Sequence, residues 1–232
     1  NGTTTLDIDT SSIGGNLTLI SGNASGITDS GNVTVGGDLV VTTDAGNGVI
    51  NMGTLRVDGS VALTTNGNGA ATVVNDEGIE FAASTVRGAL TATATTGNIT
   101  QGAAVAVTGT SSFTTSESNG TITLSNTGNA FASAVTLSTT GSTAHATIDN
   151  GTTTLDIAAS SVGGNLTLIS GNASGITDSG NVTVGGDLVA TTNANNGVIN
   201  MGTLRVDGSV ALTTDGNGAA TVVNDNGLTF AA

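Results

Sequence analysis

The chain of 232 residues contains no cysteine, proline, tryptophan, tyrosine or lysine, and four phenylalanines are its only aromatic side chains. Without cysteine there are no disulfide staples, although that alone does not fix a compartment. Without proline, every residue keeps the backbone N–H that a strand inside a sheet must donate. So few rings argue against a wide globular core and for a thin one of aliphatics and alanine. Arg56, Arg87 and Arg205 are the basic residues, against 17 acidic ones, for a formal net charge of −14. That balance argues against nucleic acid and anionic lipid as direct partners, since both need clustered lysine or arginine. No apolar run approaches the roughly 20 residues of a membrane-spanning helix, and no signal-peptide pattern opens the sequence.

What is present is glycine (36 residues) and a 37% share of apolar residues, mostly Val, Leu, Ile and Ala. That is too apolar for a disordered segment. The apolar residues come in short alternating runs separated by Gly, Asn, Asp and Ser, the pattern of strands and turns. The dominant feature is repetition. Asn150–Ala232 restates Asn1–Ala83 with ten differences, a period of 149 residues. Residues 1–149 thus form a first repeat unit and 150–232 a partial second one, continuous with it in one array.

A smaller period lies inside the large one. The phrase Gly, polar, apolar, polar, apolar starts at Gly15, Gly37, Gly59 and Gly88, with a weaker form at Gly109, giving spacings of 22, 22, 29 and 21 residues. Two further turns, near Val135-Thr136-Leu137 and Leu155-Asp156-Ile157, complete the unit. This predicts about six coils of 20–30 residues per unit, within the solenoid range. A second strand set comprises Val33-Thr34-Val35, Leu55-Arg56-Val57 and Val105-Ala106-Val107, and a third contains Ile27, Ile50, Val73 and Ile99.

A single coil cannot bury its own apolar side chains. Stacked at the inter-strand spacing of about 4.8 Å, successive coils close a continuous column, expected as Leu17 over Leu39 over Val61 over Leu90, with Val33 over Leu55 beside it. The expected fold is all-β, a parallel β-helix (solenoid) with Gly and Asn supplying positive φ at its corners. The competing fold, a string of immunoglobulin-like sandwiches, usually carries a buried Trp or Tyr and antiparallel hairpins.

Phrases such as Gly14-Gly15-Asn16-Leu17-Thr18-Leu19 and Gly31-Asn32-Val33-Thr34-Val35-Gly36-Gly37-Asp38-Leu39 resemble the filamentous haemagglutinin repeats of large bacterial exoproteins. They are also similar to autotransporter passenger domains of the same fold. The resemblance covers essentially the whole chain and rests on rhythm. It implies a right-handed parallel β-helix, export through an outer-membrane pore, an extracellular place on the bacterial cell surface, and a role as a long fibre or adhesin stalk. Its implied partners are further copies of the repeat, other fibres side by side or end to end, and glycans of a host or neighbouring cell. A carbohydrate-binding or carbohydrate-cleaving β-helix is the alternative, disfavoured by the lack of Trp and Tyr on which sugars stack.

Five features offer candidate sites. The acidic turn Asn75-Asp76-Glu77-Gly78-Ile79-Glu80 offers carboxylates to Ca²⁺, but the second copy reads Asn224-Asp225-Asn226-Gly227-Leu228-Thr229. A solvated turn near Asp76 is therefore expected, with no metal or other cofactor. Arg56 and Asp58, repeated as Arg205 and Asp207, share a strand face, as basic and acidic residues do in polysaccharide lyases. An exposed ion pair of under about 1 kcal/mol is the plainer reading. His145 is the sole imidazole, and the duplicated part has none, so it cannot host a nucleophilic triad. Thr-rich stretches suggest ice binding only if Thr recurs in register, and the expected outward column of Thr18, Val40, Ala62 and Thr91 breaks it. Asn-x-Ser/Thr sequons such as Asn23-Ala24-Ser25 matter only in a glycosylating pathway. No catalytic residue is expected, and the chain is read as a structural, non-enzymatic segment.

Between the copies, Ile13→Val162, Val41→Ala190 and Ile79→Leu228 stay apolar, while Asp9→Ala158, Asp44→Asn193, Asn66→Asp215, Glu77→Asn226 and Glu80→Thr229 exchange polar or small residues. A fixed inward face and a tolerant outward face would produce this.

Overall fold

The computed structural model describes residues 4–231, which form strands and turns with no helix. Two sheets, of 15 and 13 strands, run the length of a solenoid of about 10 turns at roughly 22 residues each. Every strand pairing is parallel, including those that cross from residue 149 to 150, such as Val135 with Ile157 and Asp149 with Ile169.

The wall of the core can be followed residue by residue. In the 15-stranded sheet Leu6 pairs with Ile27, then Ile50, Ala71, Leu90, Ser111, Val135 and Ile157. Seven steps thus lead from the strand Leu6–Ile8 to its copy Leu155–Ile157, one more than the glycine phrases predict. Alternation explains the burial: in Ala71–Asn75 and Leu90–Ala94 the first, third and fifth side chains are buried and the others are not.

The missing coil comes from a change of phase. The glycine phrase opens a strand that spans one whole side of a coil. In the early coils that strand lies in the 13-stranded sheet, as Leu17–Ser21, Leu39–Gly46 and Ser60–Asn66. From Leu90–Ala94 through Ser111–Ser118 to Val135–Thr140 it lies in the other sheet. The step from Gly59 to Gly88 therefore spans one coil plus part of the next, and there is no 29-residue coil. The column Leu17, Leu39, Val61 stands, but it continues to Phe81 and not to Leu90. Val33 does stack on Leu55. Val105 pairs with Ser84 in the opposite sheet, and Ile99 pairs there with Ile79 and Ile122.

Buried polar side chains resolve the ladder where the phase changes. The strand Ile50–Val57 has a shorter strand above it, Ala71–Asn75, which would orphan the backbone of Val57. The Asn75 carboxamide replaces the missing peptide. Its Oδ1 accepts the Val57 N–H at 2.8 Å, and its Nδ2 donates to the Val57 and Gly78 carbonyls at 3.1 and 2.7 Å. Asn150, fully buried, treats Phe131 identically, at 2.7 Å for the N–H and 3.0 Å for the carbonyl. In the converse case, one strand facing two, the Ser84 hydroxyl oxygen accepts the Leu63 N–H and the Ser160 hydroxyl oxygen accepts the Leu137 N–H.

Corners confirm the role of left-handed residues. Asn47, Asn119 and Asn196 have φ between 63° and 67°, a region that Asn tolerates better than other side chains. At Gly26 (φ 78°) and its copy Gly175, an added Cβ would run into the carbonyl oxygen of Val49 or Val198 in the next coil.

The core is not purely aliphatic. Phe81, Phe113 and Phe131 are its largest fully buried side chains. They form a chain of edge-to-face contacts, with centroids 6.1 Å and 5.6 Å apart, in the coils that carry the changed phase. The fourth ring, Phe230, is 61% exposed although Phe81, its equivalent in the first copy, is 0% exposed.

Candidate functional site

The Arg56 region is the most polar constellation. Arg56 and Asp58 do share a face, with Nε 3.8 Å from the carboxylate. The closer partner comes from the next coil: Glu77 Oε1 lies 2.8 Å from the guanidinium. The sequence signal for it is the coil step, which adds 21 to Arg56. Surface depressions of about 280 and 430 Å³ flank this pair, one lined by Thr34, Thr54 and Asp76, the other by Asp58, Glu80 and Thr100. All three charged side chains are about half exposed, so the pair contributes under about 1 kcal/mol. In the second copy Arg205 keeps Asp207 at 3.8 Å, but Asn226 stands in place of Glu77 and donates to Asp207 instead.

The acidic turn does not close on itself. Asp76 accepts a hydrogen bond from the Thr95 hydroxyl at 3.1 Å, Glu77 turns to Arg56, and Glu80 points to solvent. Among the described residues no three Asp, Glu or His side chains gather in a metal-holding group. His145 serves a corner: its Nδ1 accepts the Asn165 N–H at 2.8 Å.

Aspartates hold successive coils together. Asp29 accepts the Gly53 and Thr54 N–H groups at 2.7 and 2.8 Å, one on each carboxylate oxygen, and Asp178 does the same for Gly202 and Thr203. Asp38 Oδ1 accepts the Ser60 N–H at 2.9 Å and its hydroxyl at 2.8 Å. These two bonds, the backbone one foremost, hold the Asp38 carboxyl below the usual carboxylate range, and Ser209 does the same for Asp187.

The threonines are better ordered than expected. Thr18, Val40 and Ala62 do form one outward column, but Thr91 belongs to the other sheet. There Thr72, Thr91, Ser112 and Thr136 stack in register, with Val74, Thr93, Thr114 and Ser138 in the adjacent column. The seven hydroxyls of this patch are unburied and lie on a grid of about 4.8 Å between coils and about 7 Å along the strand. Sequence reasoning missed it because the phase change puts these residues in one sheet.

A family model described as repeats of unknown function (DUF5649) matches residues 1–52, 67–138 and 143–200. No curated protein and no solved structure matches the chain.

Proposed function

Because the chain belongs to the DUF5649 family of repeats, we propose that this structural repeat protein acts as a rigid segment of a long extracellular bacterial fibre or adhesin stalk. One observation supports the reading most: the parallel ladder passes from one repeat unit into the next without interruption. Each added unit then extends the same rod by seven coils, on the order of 34 Å, and each coil is stabilised by its two neighbours. The likeness in rhythm to filamentous haemagglutinin repeats adds the cell-surface setting and the export route. The partners proposed are further copies of the repeat, neighbouring fibres and surface glycans held weakly and at many points. No chemistry is assigned to Arg56, whose guanidinium is tied to Glu77 in one copy and has lost that partner in the other.

The test is a surface-displayed fibre that carries several units between its anchor and its tip. Deleting a 149-residue unit should shorten the reach by about 34 Å and reduce attachment to a neighbouring cell. An unrelated β-solenoid of equal length put in its place should restore attachment. Failure of that rescue would mean that the faces of the coils, not their length, do the work. Turnover of an acidic polysaccharide that Arg56→Ala and Arg205→Ala abolish would replace the structural reading with an enzymatic one.

A further inference from the structure

The corner that follows Ser60–Asn66 holds an amide poised to react with its own backbone. The Gly67 N–H donates to Asn66 Oδ1 at 2.8 Å, so the nitrogen that would attack lies beside the carboxamide it would attack. Both residues are exposed. Gly67, at φ 61°, has no side chain to hinder a five-membered ring.

The Asn66 Nδ2 donates in turn to the Asp44 carbonyl at 3.2 Å. Five other Asn-Gly steps are held differently. Asn47 and Asn196 spend their Oδ1 on the N–H groups of Asn68 and Asn217. The nitrogens of Gly69 and Gly120 donate to the Asn66 and Glu117 carbonyls. Asn150 is fully buried with its carboxamide bonded on both sides. The second copy shows that the fold accepts the product. Asp215 occupies the position of Asn66, with the Gly216 N–H on its Oδ1 at the same 2.8 Å and φ 62° at Gly216. The carbonyl of residue 66 or 215 also caps the same neighbours, Asn47 and Gly69 in one copy, Asn196 and Gly218 in the other.

We infer that Asn66-Gly67 is a site of spontaneous deamidation, favoured by the fold over the Asn-Gly steps at Asn47, Asn68, Asn119, Asn150 and Asn196. The Gly67 nitrogen gives its proton to solvent base and bonds to Cγ of Asn66. The Cγ–Nδ2 bond breaks as Nδ2 takes a proton from solvent and departs as ammonia, leaving a succinimide. Water then opens the ring at Cγ to give Asp, or at the main-chain carbonyl to give isoaspartate. The net change is amide plus water to carboxylic acid plus ammonia, with no redox step. Each event adds one negative charge at the Asn66 corner, as Asp215 carries one at the equivalent corner of the second copy.

The experiment is timed peptide mapping by mass spectrometry after incubating the folded chain in mildly alkaline buffer, with a parallel sample in urea. Asn66 should convert faster than Asn47 or Asn68 by on the order of tenfold in the folded chain, as expected of a pre-positioned reacting pair. The lead should vanish in urea, where the steps become equivalent. Asn66→Gln, whose longer side chain disfavours the ring, should remove the early product and leave slow conversion elsewhere. Conversion of Asn66 no faster than Asn68 in the folded chain would overturn the inference. So would a lead that persists in urea, because the selection would then come from sequence and not from the fold.

Discussion

Single side chains carry the exceptions to the repeat. Asn75 and Asn150 each stand in for a missing peptide, so Asn75→Ala should leave the Val57 N–H and carbonyl unpaired. A cost of about 2–3 kcal/mol is expected, read as a lower urea midpoint, whereas Asn68→Ala on the exposed corner should change little. Ser111 is the opposite case. Its hydroxyl lies between Leu90 and Val135 in the apolar column and, among the described residues, is the buried side-chain polar atom without a partner. Ser111→Ala should raise stability by about 1 kcal/mol. Asp38 and Asp187 give the pH dependence. Their folded-state values are depressed, so their contribution is complete above the ordinary carboxylate range near 4. It is lost as pH falls through the lower, folded-state values. The difference in thermal midpoint between the parent and an Asp38→Asn/Asp187→Asn variant should therefore shrink in acid.

At the scale of the element, alternation and glycine corners were legible in the sequence, and the phase change was not. Gly15, Gly37 and Gly59 recur at 22 residues because three successive coils put the strand that follows this glycine in the same sheet. Gly88 breaks the step because that strand has moved across. A reading that treats every Gly-x-apolar phrase as the same wall must then misplace Leu90, Val105 and Ile99. The aromatic core shares that origin: Phe113 and Phe131 lie outside the duplicated sequence, in coils that the phrases describe least well. Phe113, with rings on both sides, should cost about 3–5 kcal/mol on truncation to Ala. Gly26→Ala meets both a left-handed φ and the Val49 carbonyl. It should raise amide hydrogen exchange in its own and the adjoining coil before it affects Phe113, as expected of nearest-neighbour stability.

For the whole molecule, the polar constellations follow from stacking. Glu77 reaches Arg56, and seven hydroxyls form a grid, because residues one coil apart in sequence become neighbours in space. The candidate Arg56–Asp58 pair was visible in one strand, while its third member needed the register. The copies report tolerance at this scale too. Val41→Ala190 keeps a fully buried apolar position, although nothing in the structure explains the smaller side chain. The polar exchanges fall where side chains are not buried.

The parallel register itself can be tested in a chain that has no cysteine of its own. Val40 and Ala62 are direct outward partners in adjacent coils, at a separation within disulfide reach, whereas Thr91 lies in the other sheet. Under mild oxidation, a Val40→Cys/Ala62→Cys variant should form an intramolecular cross-link in high yield, and an Ala62→Cys/Thr91→Cys variant should not. A cross-link in the second variant, or none in the first, would contradict the stacked coils from which every other statement here follows.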